Sequence, residues 1–330
     1  MRARLIYTIC GLFCLLGITQ CGGSPTETAV ETVVPATENS DWPMYRGNFA
    51  GTGHSPLTEI TPGNVSTLVR AWSYDLTREM AGPDDRGPNS QVTPIVVEGV
   101  MYLPAADRIV AMDPVSGEEV WRHMVDGVSP SRRGVAYWPG DGSLAPRIIF
   151  VTGADLRALD ASSGEPVVAF GEGGLVEIGV PYNSVPLVYR NVVIIGANTP
   201  QGAIGGIGNA RAYDARTGEQ LWEFDSVAQP GQVGHETWAG DSWQDRLGAN
   251  AWPFYFTVDE DRGLLYLPLA SPIPGYYGGD REGANLYGNS VVAVRAETGE
   301  YVWHFQTIHH DLWDADPPAP PALFDIERNG

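Results

Sequence analysis

The sequence predicts an all-β fold, and two observations support that prediction. The first is composition: the 330 residues include 40 glycines and 26 prolines, whereas charged residues make up only 18%. Such usage is typical of many short strands and turns. The second is a series of apolar runs of four or five residues, each flanked by Gly, Pro or Asp, as expected of buried strands. These runs occupy residues 93–97, 100–103, 147–151, 192–195 and 264–267.

A hairpin motif recurs four times along the chain. Each copy has a short apolar strand, a turn that ends in Ser/Thr-Gly and opens in most copies with Asp, and a second strand that closes on an aromatic residue. Asp accepts backbone N–H groups two residues further on, and glycine supplies the positive φ that such turns need. The turn glycines are Gly117, Gly164, Gly218 and Gly299.

The spacing of these glycines predicts a β-propeller of four-stranded antiparallel blades. The intervals are 47, 54 and 81 residues, and repeats of about 40 to 50 residues are typical of propeller blades, with insertions in the longest interval. Residues 68–74 are predicted to form an earlier blade strand. The once-per-repeat tryptophans are predicted to dock each blade on the next, with Phe170 in the equivalent place of the second hairpin. They are Trp72, Trp121, Trp222 and Trp303.

The N-terminus is predicted to direct export. Residues 1–23 combine Arg2 and Arg4, an apolar stretch too short to span a bilayer, and a lipoprotein-like cleavage box at Cys21. Residues 24–40, rich in Thr, Glu, Pro and Ala, are predicted to be a disordered tether. We therefore expect a periplasmic protein whose contact with the membrane is a lipid anchor at Cys21. Since the other two cysteines lie within the signal, an internal disulfide framework is excluded.

A net charge of −20 disfavours nucleic acid and anionic membrane surfaces as partners. Near the end of the chain, residues 304–318 contain two adjacent histidines, three carboxylates and a tryptophan, and they run from an apolar strand into a proline-rich loop. Several titratable groups at one strand end suit acid–base or metal chemistry. A solvated acidic turn is the alternative, and these residues alone do not decide between the two.

Three sequence blocks, together with the repeat, resemble the pyrroloquinoline quinone (PQQ)-dependent dehydrogenases. The repeat resembles the tryptophan-docking motif of that family. Residues 303–314, 41–57 and 133–138 resemble its membrane-bound glucose dehydrogenase branch. The resemblance extends from about Asp41 to the end of the chain. It implies an eight-bladed ring, of which residues 41–330 would supply about half and would be incomplete at the C-terminus.

The resemblance also implies a chemistry. A PQQ enzyme oxidises a glucose-like aldose or an alcohol by hydride transfer, and it passes electrons to a quinone or a periplasmic acceptor. Asp311 matches the family's catalytic aspartate, and His310 would orient that carboxylate or contact the sugar. Residues that match cofactor contacts are Arg133, Trp252, Gln91 and Ser184.

Calcium would accompany PQQ in this family, and its ligands here are unknown. The resemblance implies a calcium-binding asparagine after the strand equivalent to residues 266–269, whereas this chain has Ala270-Ser271-Pro272 there. The family's cofactor-binding lysine comes from the half of the ring that this sequence lacks. The competing hypothesis is a non-catalytic lipoprotein propeller of the outer-membrane-assembly type, which would share the repeat, the signal and the tether. A scaffold has no need for Arg133, Trp252 and the His310-Asp311 pair together, and that combination favours the enzyme.

Overall fold

A computed structural model describes residues 41–77, 91–197, 208–251 and 255–328. The predicted export signal and tether lie outside these residues. The described chain forms four antiparallel four-stranded sheets, each built from strands consecutive or nearly consecutive in sequence. It contains no α-helix, so the all-β prediction is confirmed for this part of the protein. No helix among the described residues is long and apolar enough to cross a membrane.

The first sheet contains β1 (Ile95–Val97), β2 (Val100–Pro104), β3 (Arg108–Met112) and β4 (Glu119–Met124), and the second contains β5 (Ala136–Trp138), β6 (Arg147–Thr152), β7 (Asp155–Asp160) and β8 (Leu175–Glu177). The third contains β9 (Leu187–Tyr189), β10 (Val192–Ile195), β11 (Ala210–Asp214) and β12 (Gln220–Phe224). The fourth contains β14 (Thr257–Asp259), β15 (Leu264–Leu269), β17 (Ser290–Arg295) and β18 (Tyr301–Gln306), while β13 (Leu247–Gly248) pairs with β16 (Pro272–Ile273). Two short 3₁₀ helices span Val65–Thr67 and His235–Thr237.

The middle strands of each sheet form the core. Strands β3, β6, β10, β11 and β15 are buried along their whole length, as their continuous apolar runs predict. The outer strands differ: β4 alternates half-buried and exposed residues, and β18 contains no fully buried residue. The largest hydrophobic cluster joins the second, third and fourth sheets, and another joins the first to the second. Packing between sheets, rather than within one sheet, therefore builds the core.

Three of the four repeat tryptophans dock on the turn of the following sheet, whereas Trp303, in the last described sheet, is 40% exposed and contacts Tyr266 of its own sheet. Trp121 places its ring against Gly164, where an added Cβ would lie 2.5 Å from the indole, and its Nε1–H donates to the Ala161 carbonyl at 2.9 Å. Trp72 makes the same contacts with Gly117 and Pro114. Trp222 makes them with Gly299 and Ala296.

The second sheet docks on the turn of the third sheet through different residues. Phe170 lies beside Gly218 but has no N–H to donate. Arg147 instead donates to the Ala215 and Arg216 carbonyls at 2.8 and 2.7 Å, with its guanidinium 5.0 Å from the centre of the Trp138 ring. An arginine from the inner part of the sheet thus replaces the missing indole donor.

Two expectations need adjustment. Residues 68–74 form no strand, although Trp72 within them docks as predicted. The outer strand of the second sheet begins at Leu175, beyond Phe170, which lies in a turn. The fourth repeat also opens with Arg295 in place of Asp, and its turn still closes through the Gly299 N–H to Arg295 carbonyl bond at 2.8 Å.

The strand order divides the loops between two faces. Because neighbouring strands are antiparallel, the segment entering a sheet, the loop between its second and third strands and the segment leaving it all lie at one end. We call this end the loop face. The tight turns that join the first strand to the second and the third to the fourth lie at the opposite end, the turn face. The repeated docking contacts give all four sheets the same orientation.

Candidate functional site

Asp311 lies on the loop face, five residues beyond the end of β18, and is 2% exposed. Its Oδ1 accepts the Trp313 N–H at 2.9 Å. Its Oδ2 accepts the Ala315 N–H at 2.7 Å, the Asn289 amide at 3.0 Å and the Ser271 hydroxyl. The carboxylate therefore closes a turn of its own loop and also ties that loop to two others.

These donors decide the charge of Asp311. Burial by itself raises the pKa of a carboxyl group, but the hydrogen bonds from Ser271, the backbone of Trp313 and Ala315, and Asn289 outweigh it. The pKa of Asp311 consequently lies below its ordinary value. The residue therefore stabilises a turn of its loop and is also a buried, ionised carboxylate.

Arg281 fixes the backbone of the same loop. Its side chain is fully buried, and its guanidinium donates to the Asp311 carbonyl and, at 2.8 Å, to Asn285 Oδ1. Asn285 in turn donates to the Arg281 carbonyl at 2.7 Å. Burial, followed by repulsion from Arg246, lowers the pKa of Arg281. By donating a hydrogen bond to the Asp311 carbonyl, the buried Arg281 restricts the position of Asp311.

His310 adopts φ of +49°, which is rare for a residue with a side chain. Its Nδ1 lies 2.9 Å from the Gly283 carbonyl, and its Nε2 faces Gly278, where an added Cβ would be 2.6 Å away. Within the described residues no hydrogen bond joins the imidazole to the Asp311 carboxylate. His310 and Asp311 are adjacent in sequence, but their side chains contact different residues.

A second cluster on the loop face surrounds Arg133, which is 7% exposed. Its Nη1 donates to the Asn183 side chain and, at 3.3 Å, to the Asn183 carbonyl. Burial is the main cause that lowers the pKa of Arg133, and repulsion from Arg132 adds to it. A desolvated guanidinium beside a like charge suits an anionic ligand.

The other predicted cofactor contacts divide into three cases. The Gln91 N–H donates to the Arg132 carbonyl at 3.2 Å, which places Gln91 beside the Arg133 cluster, and its side chain is exposed. Ser184 is fully buried next to Asn183 and contacts Tyr182. Trp252 lies outside the described residues.

A cavity of about 440 Å³ opens beside the Arg133 cluster. Loop-face segments from the first and second sheets line it, and its walls are mainly apolar. Its lining includes Leu76, Ala105, Pro130, Arg132, Tyr182 and Asn183. Burial raises the pKa of Tyr182, so its hydroxyl stays neutral over the physiological range.

Gly196 and Ala251 bridge the Arg133 and Asp311 clusters. The Gly196 N–H donates to the Tyr182 hydroxyl, and an added Cβ at Gly196 would lie 2.1 Å from the Ala251 carbonyl oxygen. Ala251 forms a β-bridge with Leu269. Two residues away on each strand, the Ala249 N–H donates to the Ser271 carbonyl at 2.9 Å, and Ser271 contacts Asp311. A continuous set of contacts therefore connects the two predicted parts of the site.

The two implied cofactors make different demands on the residues of the site. A flat, tricarboxylated quinone needs guanidinium groups and a desolvated cavity, and Arg133 with its neighbouring cavity fits that requirement. Calcium takes six to eight oxygen ligands. No group of three or more His, Cys, Asp or Glu side chains in the described ranges could hold a metal, and Ser271 already donates to Asp311. This donor set does not by itself fit a calcium ion.

Sequence reasoning missed Asn183, Arg281, Asn285 and Asn289, and it treated Ser271 only as a lost metal ligand. Their partners are distant in sequence: Ser271 is 40 residues from Asp311 and Arg281 is 30. One available signal was the run of residues 281–290, which places an arginine and two asparagines in the loop before β17.

Comparison with known proteins gives a consistent result. Residues 42–330 match the family described as PQQ: Glucose/ethanol/alcohol dehydrogenase, beta-propeller domain. Quinoprotein glucose dehydrogenase A of Acinetobacter calcoaceticus is 33% identical over 89% of this chain and 41% of its own length. Quinoprotein glucose dehydrogenase of Escherichia coli (strain K12) is 32% identical over 93% of this chain and 42% of its own.

Solved structures agree with the sequence relatives. The crystal structure of quinohemoprotein alcohol dehydrogenase from Comamonas testosteroni superposes with a TM-score of 0.74 at 28% identity, covering 88% of this chain and 44% of that one. The chain thus spans less than half the length of each of these three relatives.

Proposed function

Because the chain belongs to the PQQ-dependent glucose, ethanol and alcohol dehydrogenase β-propeller family, we propose that its loop face supports the oxidation of a sugar or alcohol hydroxyl. The observation that carries this proposal is the buried, ionised Asp311 on the same face as the buried guanidinium of Arg133. The family's relatives include both glucose and alcohol dehydrogenases. A glucose-like aldose is the substrate that we favour, on the resemblance of residues 303–314.

Asp311 serves as the general base that takes the proton of the substrate hydroxyl. A base must be unprotonated at the working pH, and its lowered pKa meets that condition. Three of its four described donors bind Oδ2, whereas Oδ1 accepts only the Trp313 N–H. Oδ1 is therefore the oxygen with lone-pair capacity for a substrate proton.

PQQ, when bound, supplies the two-electron acceptor for the hydrogen on the carbinol carbon. Arg133 is the residue that would hold its carboxylates or quinone oxygens, and Gln91, Ser184 and Trp252 are the further cofactor contacts that the family resemblance implies. The bridge from Gly196 to Ala251 sets the spacing between this cluster and Asp311. His310, which lies against Gly278, would contact the substrate rather than orient the base.

Several wider properties belong to the same proposal. Electrons would pass to a quinone or a periplasmic acceptor, and the protein would work in the periplasm on a lipid anchor at Cys21. Calcium would join PQQ through ligands beyond those described. The membrane-bound glucose dehydrogenase resemblance and the export-like N-terminus support these points.

The experiment measures cofactor binding and turnover separately. Binding of PQQ to the full-length protein is followed by equilibrium dialysis, where Arg133→Gln should weaken binding about tenfold or more. The exposed turn-face Arg190→Gln is the charge-matched control. Dye reduction by an aldose, in protein reconstituted with PQQ and calcium, should be abolished by Asp311→Asn and retained by Asp314→Asn. If the reconstituted full-length protein binds no PQQ, the enzyme proposal fails and the scaffold alternative gains support.

A further inference from the structure

The turn face carries a cleft between the first and second sheets that the proposed function does not use. Its volume is about 320 Å³, and Tyr102, Trp121 and Tyr137 contribute its aromatic walls. The centre of the Tyr102 ring lies 6.0 Å from that of Trp121 and 6.3 Å from that of Tyr137. Glu98 and Asp160 also line it. We call this space the first cleft.

The two charged side chains that line the first cleft, Glu98 and Asp160, are both acidic. Its lining, within the described residues, contains no Lys, Arg or His. Burial raises the pKa of Tyr102 to about 12, with Tyr137, Glu98 and Asp160 adding to the rise. Burial also raises the pKa of Tyr137, and Glu98 and Asp41 add to it. Asp160 is ionised, because hydrogen bonds from Ser162 and Ser163 lower its pKa despite partial burial.

The equivalent gap between the second and third sheets contains cations of the protein itself. Arg147 pairs with Trp138 at the start of β6, as Val100 pairs with Val97 at the start of β2. The Arg147 guanidinium lies over the Trp138 ring and donates to carbonyls of the next turn. In that turn Arg216 pairs with Asp214. The first cleft has Val100 in place of Arg147 and Ser162 in place of Arg216.

The gap between the third and fourth sheets repeats the pattern with another residue. Arg190 lies in the turn after β9, 5.1 Å from the centre of the Tyr189 ring, and pairs with Glu297 at 2.8 Å. Glu98 holds the corresponding place in the turn after β1, with a similar positive φ. Where its neighbours place a cation over an aromatic ring, the first cleft presents carboxylates and open space.

We propose that the first cleft binds an organic cation, a guanidinium or alkylammonium group, between its aromatic walls and the carboxylates of Glu98 and Asp160. Cations bind aromatic faces through the ring quadrupole, and nearby carboxylates add attraction in a partly desolvated space. The neighbouring gaps show that this architecture accommodates such a group. The site lies at the opposite end of the sheets from Asp311 and Arg133, so it is independent of the proposed cofactor site.

The test is calorimetric titration of the chain with choline and with methylguanidinium. The uncharged isostere 3,3-dimethylbutan-1-ol matches choline in shape, and we expect it to bind about tenfold more weakly or worse. A titration with N-acetyl-arginine amide, which resembles an arginine within a peptide, tests whether the cation comes from a protein side chain instead of a free small molecule. Tighter binding of the arginine derivative would assign the site to a protein partner, and tighter binding of choline to a free ammonium compound.

Variants test whether the cation binds in the first cleft. Glu98→Gln should weaken choline severalfold, while Glu118→Gln, an exposed carboxylate outside the cleft, should not. Val100→Arg should fill the cleft as Arg147 fills its neighbour and abolish binding, whereas Val168→Arg, a 74%-exposed position, should leave it intact. Equal affinity for choline and its isostere, or unchanged binding in Val100→Arg, would overturn the proposal, as would the absence of binding by every cation.

Discussion

The hydroxyl of Ser271 donates a hydrogen bond to Oδ2 of Asp311, joining the loop after β15 to the loop after β18. The Ser271 N–H also donates to Asp316 Oδ1 at 2.8 Å, so one serine contacts two carboxylates of the same segment. Asn289 completes the group with bonds to both Ser271 and Asp311. Ser271 and Asn289, with the backbone donors, thus hold the proposed base in its ionised form.

Replacing Ser271 with Ala should raise the pKa of Asp311. The folded-state pKa of this carboxyl is depressed, so its contribution to stability is present above the unfolded-state pKa and is lost as pH falls through the folded-state pKa. Without the hydroxyl donor that contribution shrinks, and we expect a loss of about 1–3 kcal/mol near neutral pH. Carboxyl ¹³C NMR measures the pKa, and urea unfolding at several pH values measures the stability.

Ser143→Ala is the matched control for that experiment. Its hydroxyl also donates to an aspartate, Asp141, at 2.7 Å, but on an exposed turn. We expect this variant to lose no more than about 0.5 kcal/mol. A pKa of Asp311 that stays unchanged in Ser271→Ala would show that the backbone donors and Asn289 suffice.

Asp316→Asn should stabilise the protein at neutral pH. Burial and, less strongly, the charges of Asp314 and Asp311 raise the pKa of Asp316, although the Ser271 N–H opposes them. A carboxyl with a raised folded-state pKa favours folding below its unfolded-state pKa, and this benefit is lost as pH rises through the folded-state value. Asparagine keeps the acceptor for Ser271 without the charge, so a gain of about 1 kcal/mol or less is expected.

The pH dependence of melting checks this prediction. The advantage of Asp316→Asn should shrink as pH falls, because Asp316 itself becomes neutral in acid. Asp314→Asn, in an exposed carboxylate of the same loop, should have a smaller effect at neutral pH. An Asp316→Asn variant that is less stable at pH 7 than the parent would mean that its charge is needed.

Gly164→Ala should weaken the packing of the first sheet against the second and so lower the free energy of unfolding. The added methyl group would lie 2.5 Å from the Trp121 ring, and φ at this residue is +74°. Gly142 has a similar φ of +86° but open space around an added Cβ, so Gly142→Ala measures backbone strain alone, about 1 kcal/mol. We expect Gly164→Ala to cost about 2 kcal/mol more in chemical denaturation. Equal losses in both variants would mean that the indole moves away freely.

Local sequence patterns predicted the sheets because each hairpin carries its own turn chemistry. Asp113, Asp160 and Asp214 each accept the backbone N–H two residues on, and the following Gly has positive φ, as the sequence indicates. The Trp–Gly docking followed from the once-per-repeat spacing. The closing aromatic of the repeat predicts a strand at residues 68–74, yet Trp72 docks without one.

Long-range pairing explains what the sequence did not reveal. Arg133 was identified through the family resemblance, but its partner Asn183 lies 50 residues away and has no motif of its own. Arg147 reads as an ordinary strand end, and only the fold shows that it supplies the donor that Phe170 lacks. Hydrogen bonds between loops of different sheets depend on how the sheets stack, which local periodicity does not specify.

The exchange of Trp for Phe at residue 170 leads to the last prediction. Arg147 is 3% exposed and satisfies the Ala215 and Arg216 carbonyls. Arg147→Met should cost about 2–4 kcal/mol, because it leaves these acceptors without their donor. Phe170→Trp would overfill the space beside Gly218 in the parent protein, but in the Arg147→Met variant its indole N–H can reach the Ala215 carbonyl, as Trp121 reaches Ala161.

A double-mutant cycle measured by urea unfolding tests this compensation, since residues that share a partner couple by about 0.5–3 kcal/mol. Phe170→Trp should be less harmful, or even stabilising, once Arg147 is replaced. Arg190→Met serves as the control, because Arg190 is largely exposed in its pair with Glu297 and should change stability by about 0.5 kcal/mol or less. Additive effects at residues 147 and 170 would contradict the idea that arginine substitutes for the indole, since a shared acceptor requires coupling between them.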